Sequence, residues 1–257
     1  MTAITSTIER PPTAVQRATV IAVSMAGGRA RIDRLDQGHF LAARPLHSSG
    51  CRIRLALVGL RLGLLGGDTI AINVSVGAGV ELEIVEPTGM VAYNSGGRAS
   101  SWRLSADIGE GGTLVWRGAT FVAAAGSNSV RSSVIHLQDH ARALVSETLI
   151  FGRSGESGIA LTTGSLVTRL GEELLVENLE VRPGDRGVGI TGGARVLASV
   201  LALGFRPSGD ATDPRWLQLA GSGAVWRALA PAAHLVEEQV GRQFEDWRRQ
   251  VFAEHRR

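Results

Sequence analysis

The sequence predicts a mainly β protein of many short strands, with an α-helical segment at its C-terminus. Three observations carry this prediction. Apolar and polar residues alternate with a period of two in several separate stretches, the mark of half-buried strands. Turns separate these stretches at intervals of roughly 30 residues, the range of a repeated supersecondary unit. Only beyond Pro231 do apolar residues recur at steps of three and four, which is the helical period.

Residues 64–94 are the clearest stretch. Ile70, Ile72, Val74 and Val76 alternate with Ala71, Asn73 and Ser75. Gly77-Ala78-Gly79 then supplies a turn, because glycine reaches positive φ without steric cost. Val80, Leu82 and Ile84 resume the alternation, with Glu81 and Glu83 on the opposite face. Upstream, residues 1–17 carry Pro11-Pro12 and show no period, which reads as a flexible arm. Residues 18–257 contain no linker and read as one domain. Within it, Thr19–Ser24 and Arg29–Leu35 flank Gly27-Gly28, and His39–Ala43 leads to Pro45. Arg52–Val58 alternates Ile53, Leu55 and Leu57 against arginines. After the central stretch, Trp102, Leu104, Ala106 and Ile108 alternate with Arg103, Ser105 and Asp107, and Leu114 and Trp116 follow a glycine turn at 109–112. Val130–Leu137 and Ala143–Phe151 flank Gln138-Asp139-His140, and Gly158–Arg169 and Glu173–Val181 flank Gly171. Arg195–Phe205 is an apolar run whose type the pattern leaves open. Pro231 suits a first helical turn. Val236, Val240, Phe244, Trp247 and Val251 then form the stripe of an amphipathic helix over about 232–253. Gly241 weakens that helix by about 1 kcal/mol relative to Ala.

The totals narrow the function. A chain of 257 residues can bury a sizeable core. It is 44% hydrophobic with a mean hydropathy of +0.10, yet no run approaches the roughly 18 apolar residues of a membrane helix. The N-terminus has no basic segment followed by an apolar one, so no secretory signal is read. The single cysteine, Cys51, excludes an internal disulfide and suits a reducing cytosol. These features predict a cytoplasmic protein without membrane contact. All 27 basic residues are arginine and the net charge is +3. In the tail, Arg242, Arg248, Arg249, Arg256 and Arg257 interleave with Glu237, Glu238, Glu245, Asp246 and Glu254. That is a mixed solvated face rather than a phosphate-tracking stripe, so nucleic acid is not an expected partner.

No catalytic constellation stands out. Gly187-Val188-Gly189-Ile190-Thr191-Gly192 fits G-x-G-x-x-G, but Arg182 to Arg186 separate it from the preceding strand, and the chain lacks a strand–helix rhythm. It reads as a loop. There is no G-x-S-x-G elbow. His136 and His140 bracket Asp139, but the local pattern is strand and turn, so they read as turn histidines rather than metal ligands. Most carboxylates, including Asp68, Glu81, Glu83, Glu86 and Glu156, read as solvated surface charges. Glu147 is the exception, because Val145, Leu149 and Phe151 share its strand face. A charge there must be paired, line a polar cavity or be protonated. Arg153 is its nearest candidate partner in sequence.

The order of these motifs resembles urease accessory proteins of the UreD (also called UreH) family over roughly residues 28–205. The resemblance runs from Gly28-Arg29 and Arg44-Pro45-Leu46 through Leu65-Gly66-Gly67-Asp68, Val76-Gly77-Ala78-Gly79 and Val91-Ala92-Tyr93. It continues through Leu114-Val115-Trp116, Ala141 to Glu147, Phe151-Gly152-Arg153 and Gly155-Glu156. The chain departs from the family at Val58-Gly59-Leu60-Arg61, at Gly89-Met90-Val91-Ala92 and at Arg117-Gly118-Ala119-Thr120, as a divergent member would. The resemblance implies strands coiled into stacked β layers with C-terminal helices. It also implies a non-enzymatic scaffold that binds UreF, recruits the GTPase UreG through it, and contacts apo-urease during nickel delivery. Such a protein has no cofactor of its own, and Ni²⁺ passes transiently. Asp68, Glu147 and Glu156 are then the candidate nickel path. Carboxylates bind Ni²⁺ more weakly than imidazole or thiolate, which lets the ion move on. The high apolar share predicts dependence on a partner, with Phe244 and Trp247 as candidate aromatic anchors; packing of the helix wholly on its own domain is the other reading of the tail. The alternative function is a β-rich protein- or glycan-binding module without a metal role, which an exposed aromatic platform would mark. Aromatics make up only 5% of this chain. A hydrolase is disfavoured by the absent nucleophile motif.

Overall fold

The computed structural model describes residues 16–183, 189–210 and 212–253. Its strands are β1 (Thr19–Ala26), β2 (Arg29–Asp36), β3 (Leu41–Ser49), β4 (Arg52–Gly59), β5 (Gly63–Leu64), β6 (Thr69–Val76), β7 (Glu81–Val85), β8 (Met90–Ala92) and β9 (Ser100–Ile108). Then come β10 (Thr113–Ala123), β11 (Asn128–Leu137), β12 (Arg142–Phe151), β13 (Ala160–Arg169), β14 (Glu172–Val181), β15 (Val196–Leu203), β16 (Trp216–Gln218), β17 (Gly223–Ala230) and the helix α1 (His234–Ala253).

The strands form a β-solenoid of about four turns. One sheet runs β14-β13-β11-β9-β6-β1-β2 and the other β16-β17-β15-β12-β10-β7-β4-β3, with β5 and β8 appended at β10. The first is called the front sheet below and the second the back sheet. Within the solenoid each neighbouring pair is parallel, as in β6–β9, β9–β11 and β11–β13. Gly77-Ala78-Gly79 therefore joins two sheets rather than closing a hairpin, since β6 and β7 never pair with each other. Equivalent residues stack coil on coil. Val76 lies beside Ile108, and Ile108 beside Leu137. The coil length is visible in hydroxyl contacts at the corner: Ser101 donates to Thr69 across 32 positions, and Ser100 meets Ser129 across 29. The turn spacing read in the sequence is thus the length of one coil.

Antiparallel hairpins close both ends: β1–β2 and β3–β4 at one, β13–β14 and β15–β17–β16 at the other. The edge strand β3 runs through Pro45 and carries a bulge between Pro45 and His47, features that discourage further pairing. Between the sheets lies the main core, including Ile21, Ile53, Leu55, Ile72, Leu82, Leu114 and Leu149. A second core lies behind the back sheet, where Val236, Val240, Phe244, Trp247 and Val251 of α1 cover Val115, Leu144, Val200 and Trp226.

The helix occupies the predicted span. The open stretch 195–205 is strand β15, and its continuous apolar run follows from burial on both faces. The expected strand at His39–Ala43 begins later and extends to Ser49. Sequence reading missed β5, β8 and β16, which are two or three residues long, and β17, whose first four residues are buried in succession. Of the expected arm, residues 1–15 lie outside the described residues, as do Gly187 and Val188 of the glycine motif. Residues 16 and 17 are tied to the body: Thr69 N donates to Gln16 Oε1 at 2.6 Å, and His39 N to the Arg17 carbonyl at 3.0 Å.

Candidate functional site

The candidate site is a row of charged and polar side chains running between the two sheets along the solenoid axis. It begins where β10 breaks register between Arg117 and Thr120. The irregular backbone there turns the Ala119 N–H toward Glu86, just beyond β7. Ala119 N donates to Glu86 Oε2 at 3.1 Å, and Trp116 Nε1 to Oε1 at 2.8 Å. The residue as a whole is only half-buried, but its carboxyl group is enclosed. Burial pushes that carboxyl above its ordinary range, and the nearby Arg131 guanidinium opposes the shift.

Arg131 comes from β11 in the front sheet. Its Nε donates to Glu147 Oε2 of the back sheet at 2.7 Å, and the two side chains are 12% and 26% exposed. The guanidinium lies 3.5 Å from the Trp102 ring centre and 5.6 Å from that of Phe121. Glu147 registers with Ser199 on β15, and Ser199 with Arg227 on β17. Arg227 donates from Nε to Ser199 Oγ at 3.1 Å, and from Nη1 and Nη2 to Glu177 of β14 at 2.7 and 2.9 Å. The row thus passes from Glu86 through Arg131, Glu147, Ser199 and Arg227 to Glu177, alternating charge and crossing between sheets.

Glu147 is paired, as its strand face requires, but with Arg131 rather than with Arg153. Arg153 instead holds Glu156, through Nε at 2.8 Å and its own N–H at 2.9 Å, while Ala125 N donates to the same carboxylate at 3.0 Å. Led by the Arg153 side chain, these bonds bring the Glu156 pKa down to about 2. Asp68 accepts from Leu65 N at 2.8 Å and closes the turn before β6. Asp68 and Glu156 therefore tie down corner loops of two different coils, while Glu147 lies between the sheets. The structure does not bring the three together. Among the described residues no group of three or more His, Cys, Asp or Glu side chains is arranged to hold a metal ion. His136 Nδ1 lies 2.8 Å from Thr168 Oγ1, and His140 stands beside Asp139.

Two further expectations are corrected. Phe244 and Trp247 are 1% and 0% exposed; they pack on the protein's own back sheet, so the face they occupy is not presented to a partner. Glu81 and Glu83 are buried at 4% and 3% rather than solvated. They sit beneath or beside α1, with Arg52 on Glu81, and with Arg248 and Arg54 on Glu83. Sequence reasoning also missed Glu86, Arg131, Glu177 and Arg227 as parts of one row. The available signal was a charged residue at an inward strand position, which picks out Arg131 and Glu177 once Ile135, Leu137, Leu175 and Leu179 fix the inward faces.

The structure is thus a two-sheet β-solenoid with a polar axial row and a docked C-terminal helix. The chain belongs to the UreD urease accessory protein family, whose model matches residues 16–256. It is 43% identical over 233 residues to urease accessory protein UreD 1 of Streptomyces griseus, covering 90% of this chain and 91% of that protein. It is 35% identical over 191 residues to UreD 3 of the same organism (71% and 73% covered), and 30% identical over 201 residues to UreD of Streptomyces avermitilis (76% and 79% covered). UreD-family accessory proteins are non-catalytic chaperones. No helix among the described residues is long and apolar enough to cross a membrane.

Proposed function

We propose that this chain is a scaffold of urease maturation in the cytoplasm, binding UreF, engaging the GTPase UreG through it, and contacting apo-urease while Ni²⁺ is delivered. Nickel is the cargo in this reading, and the chain has no resident cofactor. The observation that carries the reading is the axial row centred on Glu147 in a member of the UreD family. Carboxylate oxygens bind Ni²⁺ more weakly than imidazole or thiolate, which suits an ion that must be passed on rather than kept. Asp68 and Glu156 have structural work in the corner loops, so the path is proposed through Glu147, with Glu86 as the neighbouring carboxyl.

Urease activation in cells tests this. Glu147→Gln is expected to lower activation, while His136→Ala combined with His140→Ala leaves it near the parent level. Co-expression with UreF is expected to yield a soluble complex burying more than about 1,000 Å². A histidine pair that abolishes activation beside a silent Glu147→Gln, or a monodisperse monomer that ignores UreF at micromolar concentration, overturns the proposal.

A further inference from the structure

At the β17 end of the back sheet, β16 covers only part of the edge. In β17 alternate residues turn their backbone toward β16, as Arg227 does when its N–H donates to the Arg215 carbonyl at 2.8 Å. The register with β16 covers only Ala224 to Trp226. Leu229 is the next residue facing that way, and among the described residues no strand stands opposite it. Its edge opens into a groove of about 520 Å³ between β16, β17 and the first turn of α1. Leu217, Leu229 and Leu235 line this groove and are 49%, 47% and 47% exposed. At Pro231 the groove adjoins a second hollow of about 310 Å³, walled by Val122, Ile150 and Val196. Arg195 lines that hollow, with Nη2 donating to the Gly152 carbonyl at 2.7 Å and Nε enclosed without a partner. The other arginine there, Arg153, is bound to Glu156, whereas Arg195 forms no ion pair among the described residues. No Asp or Glu of the described residues lines either opening.

We infer that these adjoining openings are a docking site for an extended segment of a partner protein, apolar where it crosses the three leucines and carrying an aspartate or glutamate that reaches Arg195. The inference rests on the reading that the chain binds UreF, and it assigns the segment to UreF. Three features select such an occupant. An open strand edge takes up an extended chain through main-chain hydrogen bonds. Three half-exposed leucines around one groove are apolar area that a partner removes from water. A guanidinium held by one neutral carbonyl, in a hollow with apolar walls and no acid, is matched by an arriving carboxylate. The two edges of the back sheet differ in this respect. At the far edge, Pro45 and the bulge of β3 stand against strand addition, whereas the edge at Leu229 carries neither a proline nor a bulge.

The test is titration of the immobilised chain with purified UreF, at about 0.05 M and about 0.5 M salt. Leu229→Asp and Leu235→Asp are each expected to weaken binding about tenfold or more, because each puts a charge where an apolar side chain docks. Leu46→Asp, at a similarly exposed leucine on the far edge strand β3, is expected to bind as the parent does. Arg195→Gln is expected to weaken binding about fivefold at the lower salt and by less at the higher, as the loss of an ion pair across an interface does. A general loosening of the fold would not give that salt dependence. Circular dichroism and a thermal melt establish that each variant is folded. Should Leu229→Asp not fold, Leu235→Asp decides the matter, since an acidic side chain suits the first turn of a helix. Parental UreF affinity in the folded leucine variants overturns the docking site and leaves UreF binding standing. A parent chain that ignores UreF removes the reading on which the site rests. Leucine variants that keep UreF but lose apo-urease in the same titration overturn the assignment to UreF.

Discussion

Replacing Arg248 by Met should loosen the helix from the back sheet, and replacing Glu83 as well should largely restore it. Arg248 donates to the Glu83 carboxylate through Nε at 3.0 Å and Nη2 at 2.8 Å. The carboxylate is 4% exposed, and its remaining cation, Arg54, stands at 3.5 Å. Losing one member of a fully buried pair costs about 3–5 kcal/mol, because the survivor stays charged in a low-dielectric site. Two features reduce that here: Arg248 is 25% exposed, and Arg54 remains. The expected loss is therefore about 2–3 kcal/mol. Glu83→Leu alone leaves two arginines that can turn to water, 47% exposed in the case of Arg54, so its cost is expected near 1 kcal/mol. The double variant, Glu83→Leu with Arg248→Met, replaces the pair by apolar contact and should come within about 1 kcal/mol of the parent. Tryptophan fluorescence during urea unfolding is the assay, since Trp247 lies in the helix interface and reports its loss. A loss below about 0.5 kcal/mol for Arg248→Met would show that the carboxylate is already hydrated. A double variant as unstable as the sum of the singles would refute the coupling.

Two more outcomes follow from the same geometry. Trp247→Ala, at a fully buried position, is expected to cost about 3–5 kcal/mol in the same urea experiment, and a near-neutral result would place that ring outside the core. Glu156 has a folded pKa of about 2 against 4.5 for the free side chain, so its stabilising contribution is present above pH 4.5 and is lost as pH falls toward 2. Glu156→Gln should therefore lower the melting temperature at neutral pH and converge with the parent in acid; a gap that persists unchanged to the lower pH contradicts the linkage.

The fold was legible where one face of a sheet meets water. In β6 the burial alternates residue by residue, and the sequence shows the same beat from Ile70 to Val76. It faded where α1 covers the back sheet. In β17 the first four residues, Gly223 to Trp226, are all buried, Trp226 beneath the helix and Val225 between the sheets, and further along the apolar Leu229 is exposed, so no clean alternation remains to read. The glycine corners were visible, but a corner and a hairpin use the same glycine chemistry. Only the recurrence at one coil length separates them. Glu147 was legible as a charge on an apolar strand face. Its partner was not, because proximity in sequence selects Arg153, two residues past the end of β12. The solenoid instead folds Arg131 over from the opposite sheet, 16 positions earlier. Glu83 was read as solvated for the same reason: its cover arrives from a helix 165 positions away.

The chain thus carries two charged layers made from the same residue types, and their surroundings set them apart. Beneath the helix, Glu83 is gripped by two donors of Arg248 and flanked by Arg54. The arginine cannot leave without exposing a buried carboxylate, so this layer fixes the helix in place. Between the sheets, Glu147 receives one short bond from an arginine that already rests on a tryptophan face. That arginine comes from the opposite sheet and is itself enclosed, so this layer ties the two sheets to each other across the core, whereas the Glu83 layer ties the helix to the back of one of them.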